Sequence, residues 1–227
     1  MKIKAFFLDF YGTLVHEDDD ILPVIYEQIR TTAARKCSHK EIGSFWWANA
    51  SAMYDESFGE LYRLQRDIGI ESLERTLTHY ACPLKSKDLI TSQFEHWVKP
   101  VLYEDTVPFL ECLRREGIRS YILSNIDTYD VQSAASYHGI EVDGIITSES
   151  VRAYKPRPEM FHQALALSGL AADEVIHIGD SLKSDIQGAQ NAGIAAVWLN
   201  RLNKMRKNEV QPDYTCSNLL EVRSLFI

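Results

Sequence analysis

Asp9 follows the short apolar run Ile3-Lys-Ala-Phe-Phe-Leu8, and Gly12, three residues on, gives the chain freedom to turn. An acid at the end of such a run is either a turn or cap residue or a carboxylate nucleophile that forms an acyl-type intermediate. Three further polar groups stand in comparable places. Ser124-Asn125 ends the strand-like segment Ile118–Leu123, Asp180 follows Glu174-Val-Ile-His-Ile178, and Lys155 opens the loop segment Lys-Pro-Arg-Pro158. Singly these read as a turn, a helix N-cap and a solvated lysine. Together they have roles in one reaction: Asp9 attacks, Ser124 donates to a substrate oxygen, and Lys155 offsets negative charge. Asp180 and Asp185 supply hard oxygen ligands suited to Mg²⁺, which lets an anionic nucleophile approach an anionic phosphoryl group.

The elements that must position these groups follow from the pattern. Runs of four to six apolar residues are too short for helices and fit buried parallel strands. Residues 3–8, 118–123, 144–147, 174–178 and 195–199 are predicted strands. Helices are predicted from Thr106 to Gly117, Tyr129 to His138, Pro158 to Leu167 and after Asp180 to Ala192, with Gly117, Gly139 and Gly193 as stops. This alternation predicts an α/β fold with a mainly parallel sheet, its ligands at the carboxyl ends of the strands.

From Ile21 to about Pro100 the pattern is helical throughout, with Leu22, Ile25 and Ile29, then Phe45, Trp46 and Met53, then Leu73, Leu77 and Tyr80. It predicts about four helices forming a bundle of their own. Trp46, Trp47, Tyr54, Phe58 and Tyr62 are its expected core. The expected organisation is an α/β core domain over residues 1–15 and 101–227 with a helical domain, residues 16–100, inserted.

A net charge of −8 gives no basic face for nucleic acid. Cys37, Cys82, Cys112 and Cys216 are scattered without a CxxC pair, which argues against zinc and fits reduced thiols. No apolar stretch approaches the roughly 18 residues of a membrane span, and the first apolar segment is too short for a secretory signal. A cytoplasmic protein acting on a small, anionic molecule is expected.

The segments Asp9-Phe-Tyr-Gly-Thr13, Ser124-Asn125, Lys155-Pro and Gly179-Asp-Ser-Leu-Lys-Ser-Asp185 resemble, in order, the four motifs of the haloacid dehalogenase (HAD) superfamily. The resemblance implies a Rossmann-like core, an aspartyl-enzyme intermediate and a helical cap inserted after the first motif. It implies Asp9 as nucleophile, Thr13, Ser124 and Asn125 in substrate binding, and Lys155 bridging nucleophile and substrate. It places Mg²⁺ on Asp9, the main-chain carbonyl of Tyr11 and Asp180, with Asp185 direct or through water.

Tyr11 departs from the phosphatase pattern, which has a second Asp there as general acid/base, a role typically worth 10²–10⁴-fold. The form Asp-x-Tyr-Gly-Thr is similar to the 2-haloacid dehalogenases, whose departing halide needs no proton. Motif four points the other way, since those enzymes dispense with metal. They also carry a cap arginine, absent from Gly43–Asn49, and a tyrosine where this chain has Phe161. A Mg²⁺-dependent phosphohydrolase is therefore expected first, with His16, Glu17 and Asp18 as the nearest replacements for the missing acid. A 2-haloacid dehalogenase is the second reading, and a catalytically weak phosphate- or Mg²⁺-binding protein the third. Trp46, Trp47, Arg63 and Arg66 are the candidate cleft residues of the helical block.

Overall fold

The computed structural model describes residues 3–205 and 210–227. Its six strands are β1 (Ala5–Leu8), β2 (Arg119–Ser124), β3 (Gly144–Thr147), β4 (Val175–Gly179), β5 (Ala195–Leu199) and β6 (Tyr214–Cys216). They form one parallel sheet in the order β3-β2-β1-β4-β5-β6. The predicted parallel sheet is thus present, extended by β6, which is too short to read from the sequence.

Strand alternation divides the core. Phe6 and Leu8 point to one face, packing with Phe109, Leu113, Val131, Leu219 and Val222; Ala5 and Phe7 point to the other, with Met160, Phe161, Ala164 and Ile186. The chain leaves β1 toward β2 and β3 and later returns to β4, β5 and β6. The β1–β4 boundary is therefore the topological switch point, where open α/β sheets leave a crevice.

Five α-helices follow β1 before residue 100: α1 (Leu22–Thr32), α2 (His39–Glu56), α3 (Gln65–His79), α4 (Ser86–Leu89) and α5 (Thr91–Val98). Ser38 and Glu41 close a capping box at the start of α2. Ile25, Ile29, Ile42, Trp46, Leu73, Leu77 and Tyr80 form this block's own apolar cluster. The expected aromatic core is corrected here. Only Trp46 is buried; Trp47 and Phe58 are exposed, and Tyr54 and Tyr62 pack against Tyr154 near β3. Aliphatic side chains at helical spacing fill the centre instead, because the aromatics lie on the block's outer and cleft-facing sides. Trp97 of α5 packs into the sheet-face cluster with Phe6 and Leu8, joining the end of the block to the core.

The remaining helices are α6 (Thr106–Arg115), α7 (Thr128–Tyr137), α8 (Ser148–Val151), α9 (Glu159–Ser168), α10 (Gly188–Asn191) and α11 (Leu219–Phe226). The helix expected after Asp180 is a π-turn segment, Leu182–Gln187, running into α10.

Candidate active site

Asp9 ends β1 at the switch point, its amide held by the Ile178 carbonyl at 2.8 Å. The residue is 7% exposed. Lys155 Nζ donates to Asp9 Oδ1 at 2.7 Å, to Asp185 Oδ1 at 2.6 Å and to the Leu123 carbonyl at 2.8 Å. All three ammonium protons are thereby used. The main chain of Lys155 is fixed as well: its N–H donates to Asn125 Oδ1 at 2.7 Å, and Asn125 Nδ2 donates to its carbonyl at 3.2 Å. Asn125 also lines the cavity, with both ends of its amide in contact with the lysine backbone.

Asp185 is more enclosed than Asp9. Besides Lys155, its Oδ1 accepts from His177 Nε2 at 3.0 Å and its Oδ2 from the Ser181 amide at 3.0 Å. Gly179 makes room for it, because a Cβ there would lie 2.2 Å from Asp185 Cγ. Gly12, at φ +83°, does the same for Asp180, whose Cγ would be 2.8 Å from an added Cβ. Carboxylate oxygens of Asp9, Asp180 and Asp185 lie within 4.8 Å of one another.

Three acids share the buried Lys155, with the exposed Lys204 3.6 Å from Asp180, and an excess of negative charge remains. Burial lifts the Asp9 carboxyl to about 7 against the pull of Lys155, with Asp185 and Asp180 pushing the same way. Asp180 is lifted to about 7 by burial, then by Glu17 and Asp185. Burial acts on Asp185 too, but Lys155 and His177 outweigh it and hold that carboxyl well below the usual range. The same acids keep buried Lys155 charged, against the desolvation that would lower it. Burial holds His177 below its ordinary value, so the ring is neutral when it donates to Asp185.

A cavity of about 480 Å³ opens in front of Asp9. Ser124, Lys155, Asp180 and Asp185 line its floor. Trp46, Trp47, Tyr54 and Gln65 come from the helical block opposite. Thr13 is fully buried, its Oγ1 without a hydrogen-bond partner among the described residues.

Tyr11 lines the cavity, but its hydroxyl donates to the Trp97 carbonyl. Burial raises this phenol, and Asp130, Asp18 and Asp9 raise it further, so it stays protonated. The Tyr11 proton is thus committed to the backbone of α5.

The two arginines expected over the cleft also lie elsewhere. Arg66 forms a two-pronged pair with Asp130 at 2.6 and 2.9 Å and covers the Phe94 ring; Arg63 pairs with Glu71 at 2.6 Å. Neither lines the cavity. Residues that the sequence pattern does not single out include Lys183 and Asp55, which pair at 3.3 Å at the mouth, and Gln65. His177 is another, despite a usable signal, a single polar side chain inside an apolar strand.

A doubly wound parallel sheet with a lysine-bound acid at its switch point defines an α/β enzyme. A model of the haloacid dehalogenase-like hydrolases matches residues 3–193, and the chain belongs to that family of hydrolases. Phosphoserine phosphatase of Thermus thermophilus is 29% identical over 144 residues, 62% of this chain and 57% of that protein. Haloacetate dehalogenase H-2 of a Moraxella species is 24% identical over 208 residues, 88% of this chain and 87% of that one. The chain spans about half the length of the curated phosphatases it matches. The solved L-2-haloacid dehalogenase RSc1362 shares the fold, with a TM-score of 0.81 at 20% identity over 100% of this chain and 99% of that one. Among the described residues, no helix is long and apolar enough to cross a membrane.

Proposed function

We propose that this chain is a Mg²⁺-dependent phosphohydrolase of a small phosphorylated metabolite, with Asp9 as nucleophile and residues 16–100 as the cap over its cleft. The observation that carries the reading is the charge around Asp9. Three carboxylates share the buried Lys155, with the exposed Lys204 3.6 Å from Asp180, and none of the described residues lining the cavity is an arginine. The carboxylate of a haloacid and its departing halide would meet a negative wall there. A divalent cation relieves that excess and suits a phosphate.

The donor set fits Mg²⁺. Asp9 and Asp180 offer hard oxygens, while Asp185, already accepting from Lys155, His177 and Ser181, is better placed to hold the ion through water. When bound, the ion neutralises charge on the phosphoryl oxygens. The chain's own groups do the rest. Lys155 holds Asp9 Oδ1 in place and favours its ionised form against burial, and Ser124 presents its hydroxyl to the transferring group from the end of β2. Trp46, Trp47 and Gln65 of the cap close over the organic part of the substrate. Phosphate release from an aryl phosphate, abolished by EDTA and by Asp9→Asn, is the expected result. Undiminished turnover in EDTA would overturn the reading.

Tyr11 favours a second reading, 2-haloacid dehalogenation, because a halide departs without a proton and the Tyr11 hydroxyl supplies none. Halide release from 2-chloropropionate in the absence of metal would select it.

A further inference from the structure

An alkoxide leaving from phosphorus needs a proton, and the obvious donors of this site are already engaged. The Tyr11 proton goes to the Trp97 carbonyl, and those of Lys155 go to three acceptors. The hinge that follows Val15 holds three more candidates, and two of them are also occupied. The His16 ring turns away and stacks on Tyr103, with centroids 3.9 Å apart. Asp18 Oδ2 accepts from Gln93 at 2.7 Å and from Trp97 Nε1 at 3.1 Å. Glu17, between them, is half-buried on the cavity wall with Asp9 and Asp180, and its carboxyl makes no hydrogen bond or ion pair among the described residues.

Its position is fixed by the backbone beneath it. Gly12 N–H donates to the Val15 carbonyl at 2.7 Å, His16 N–H to Val101 at 2.8 Å, and Tyr103 N–H to Leu14 at 3.2 Å. Arg201 covers the other ring of the stack, Tyr103, at 3.8 Å.

We propose that Glu17 is the general acid and base of this site, in the place Tyr11 cannot fill. The proposal rests on the phosphohydrolase reading. In the first step an Asp9 oxygen bonds to phosphorus, the bond from phosphorus to the leaving oxygen breaks, and the Glu17 carboxyl gives that oxygen its proton. In the second, water attacks the aspartyl phosphate, Glu17 takes the water's proton, and the bond to Asp9 breaks. Inorganic phosphate leaves, and both carboxyl groups return to their starting state. The surroundings of Glu17 suit both steps. Burial, Asp9, Asp19 and Asp18 favour its protonated form, while Lys204 opposes them, and the carboxyl titrates at about 7.

The test compares kcat/KM for glycerol phosphate, whose alkoxide needs a proton, with that for a dinitrophenyl phosphate, whose phenolate does not. Both are measured with Mg²⁺ for the wild-type chain, Glu17→Gln and Glu17→Asp. In Glu17→Gln the alkyl-to-aryl ratio should fall by about 10²-fold or more, with partial return in Glu17→Asp. Rapid-quench samples of Glu17→Gln with the aryl ester should accumulate phosphorylated Asp9, because water activation is lost as well. An unchanged ratio in an active enzyme overturns the role of Glu17 and leaves the phosphohydrolase reading standing. No phosphate release by the wild-type chain from either ester overturns both.

Discussion

Lys155 Nζ stands 2.6 Å from Asp185 and 2.7 Å from Asp9, so one buried cation serves two carboxylates that follow neighbouring strands. Removing it leaves two acids without a counter-charge, and breaking such a buried pair costs about 3–5 kcal/mol. Lys155→Met should therefore lose this much stability near pH 8 in denaturant titrations, along with turnover. The loss should shrink at about pH 5, because Asp9, already lifted to about 7 with the lysine present, takes up a proton instead. A variant as stable as the wild type at pH 8 would show that the lysine does not hold these strands together.

The raised carboxyls set the sign of a second pH effect. Asp9 and Asp180 each rise from 3.8 to about 7, so between roughly pH 4 and 7 the folded state holds protons that the unfolded chain releases. Stability from these groups is present at the acid end and is lost as pH climbs through the window. His177, held low by burial, works the other way, but Glu17 and Asp127, also raised, act with Asp9 and Asp180 against it. In EDTA the Tm should fall from pH 5 to 8, and Asp180→Asn should flatten the slope. Mg²⁺ should raise the Tm more at pH 8 than at pH 5, and Asp180→Asn should lose most of that gain. A wild-type Tm in EDTA that rises over this range would contradict the scheme.

The strand ends are legible because each apolar run stops at a polar residue, and parallel order brings those stops to one edge. That is how Asp9, Ser124 and Asp180 group together on sequence alone, while Lys155 and Asp185 join them through the chemistry they share and the motifs they resemble. What the pattern cannot carry is the direction of side chains on a bundle or hinge. Arg66 reads as a cleft residue until Asp130, 64 positions away, is seen to hold it. Nor does the pattern show that the Asn125 amide reaches the backbone of Lys155, 30 positions away. Glu17 differs from Asp18 only through packing with Gln93 and Trp97. Strand β6 escapes notice because three residues, two of them exposed, carry no readable period.

Asp127 links the two halves of the molecule. From the loop after β2 its carboxylate accepts the amides of Gln65 at 2.8 Å and Arg66 at 3.0 Å, capping α3, whose own N-cap residue, Leu64, has no side-chain acceptor. Asp127→Ala should cost about 0.5–2 kcal/mol and speed amide exchange in the first turn of α3. Burial lifts the carboxyl from 3.8 to about 6, so its contribution is fullest at acid pH and declines as pH rises through 6. The penalty should accordingly be larger at about pH 5 than at pH 8. Unchanged exchange in that turn would show that the helix start is held by other contacts.

Tyr11 provides the sharpest separation between structural and chemical roles. Its hydroxyl reaches the Trp97 carbonyl at the end of α5, and that bond is lost in Tyr11→Phe while the ring's packing against Phe10 is kept. The carbonyl then lacks a partner in a partly buried place, a cost of about 1–3 kcal/mol. The main-chain carbonyl of Tyr11 is untouched by the change, so a metal held there would be undisturbed. Stability should drop by that amount while kcat for an alkyl phosphate stays within about 3-fold, since a phenol whose proton is already committed supplies none to the leaving group. A fall in kcat of about 10²-fold with little change in stability would instead make this phenol the proton donor and displace Glu17 from that role.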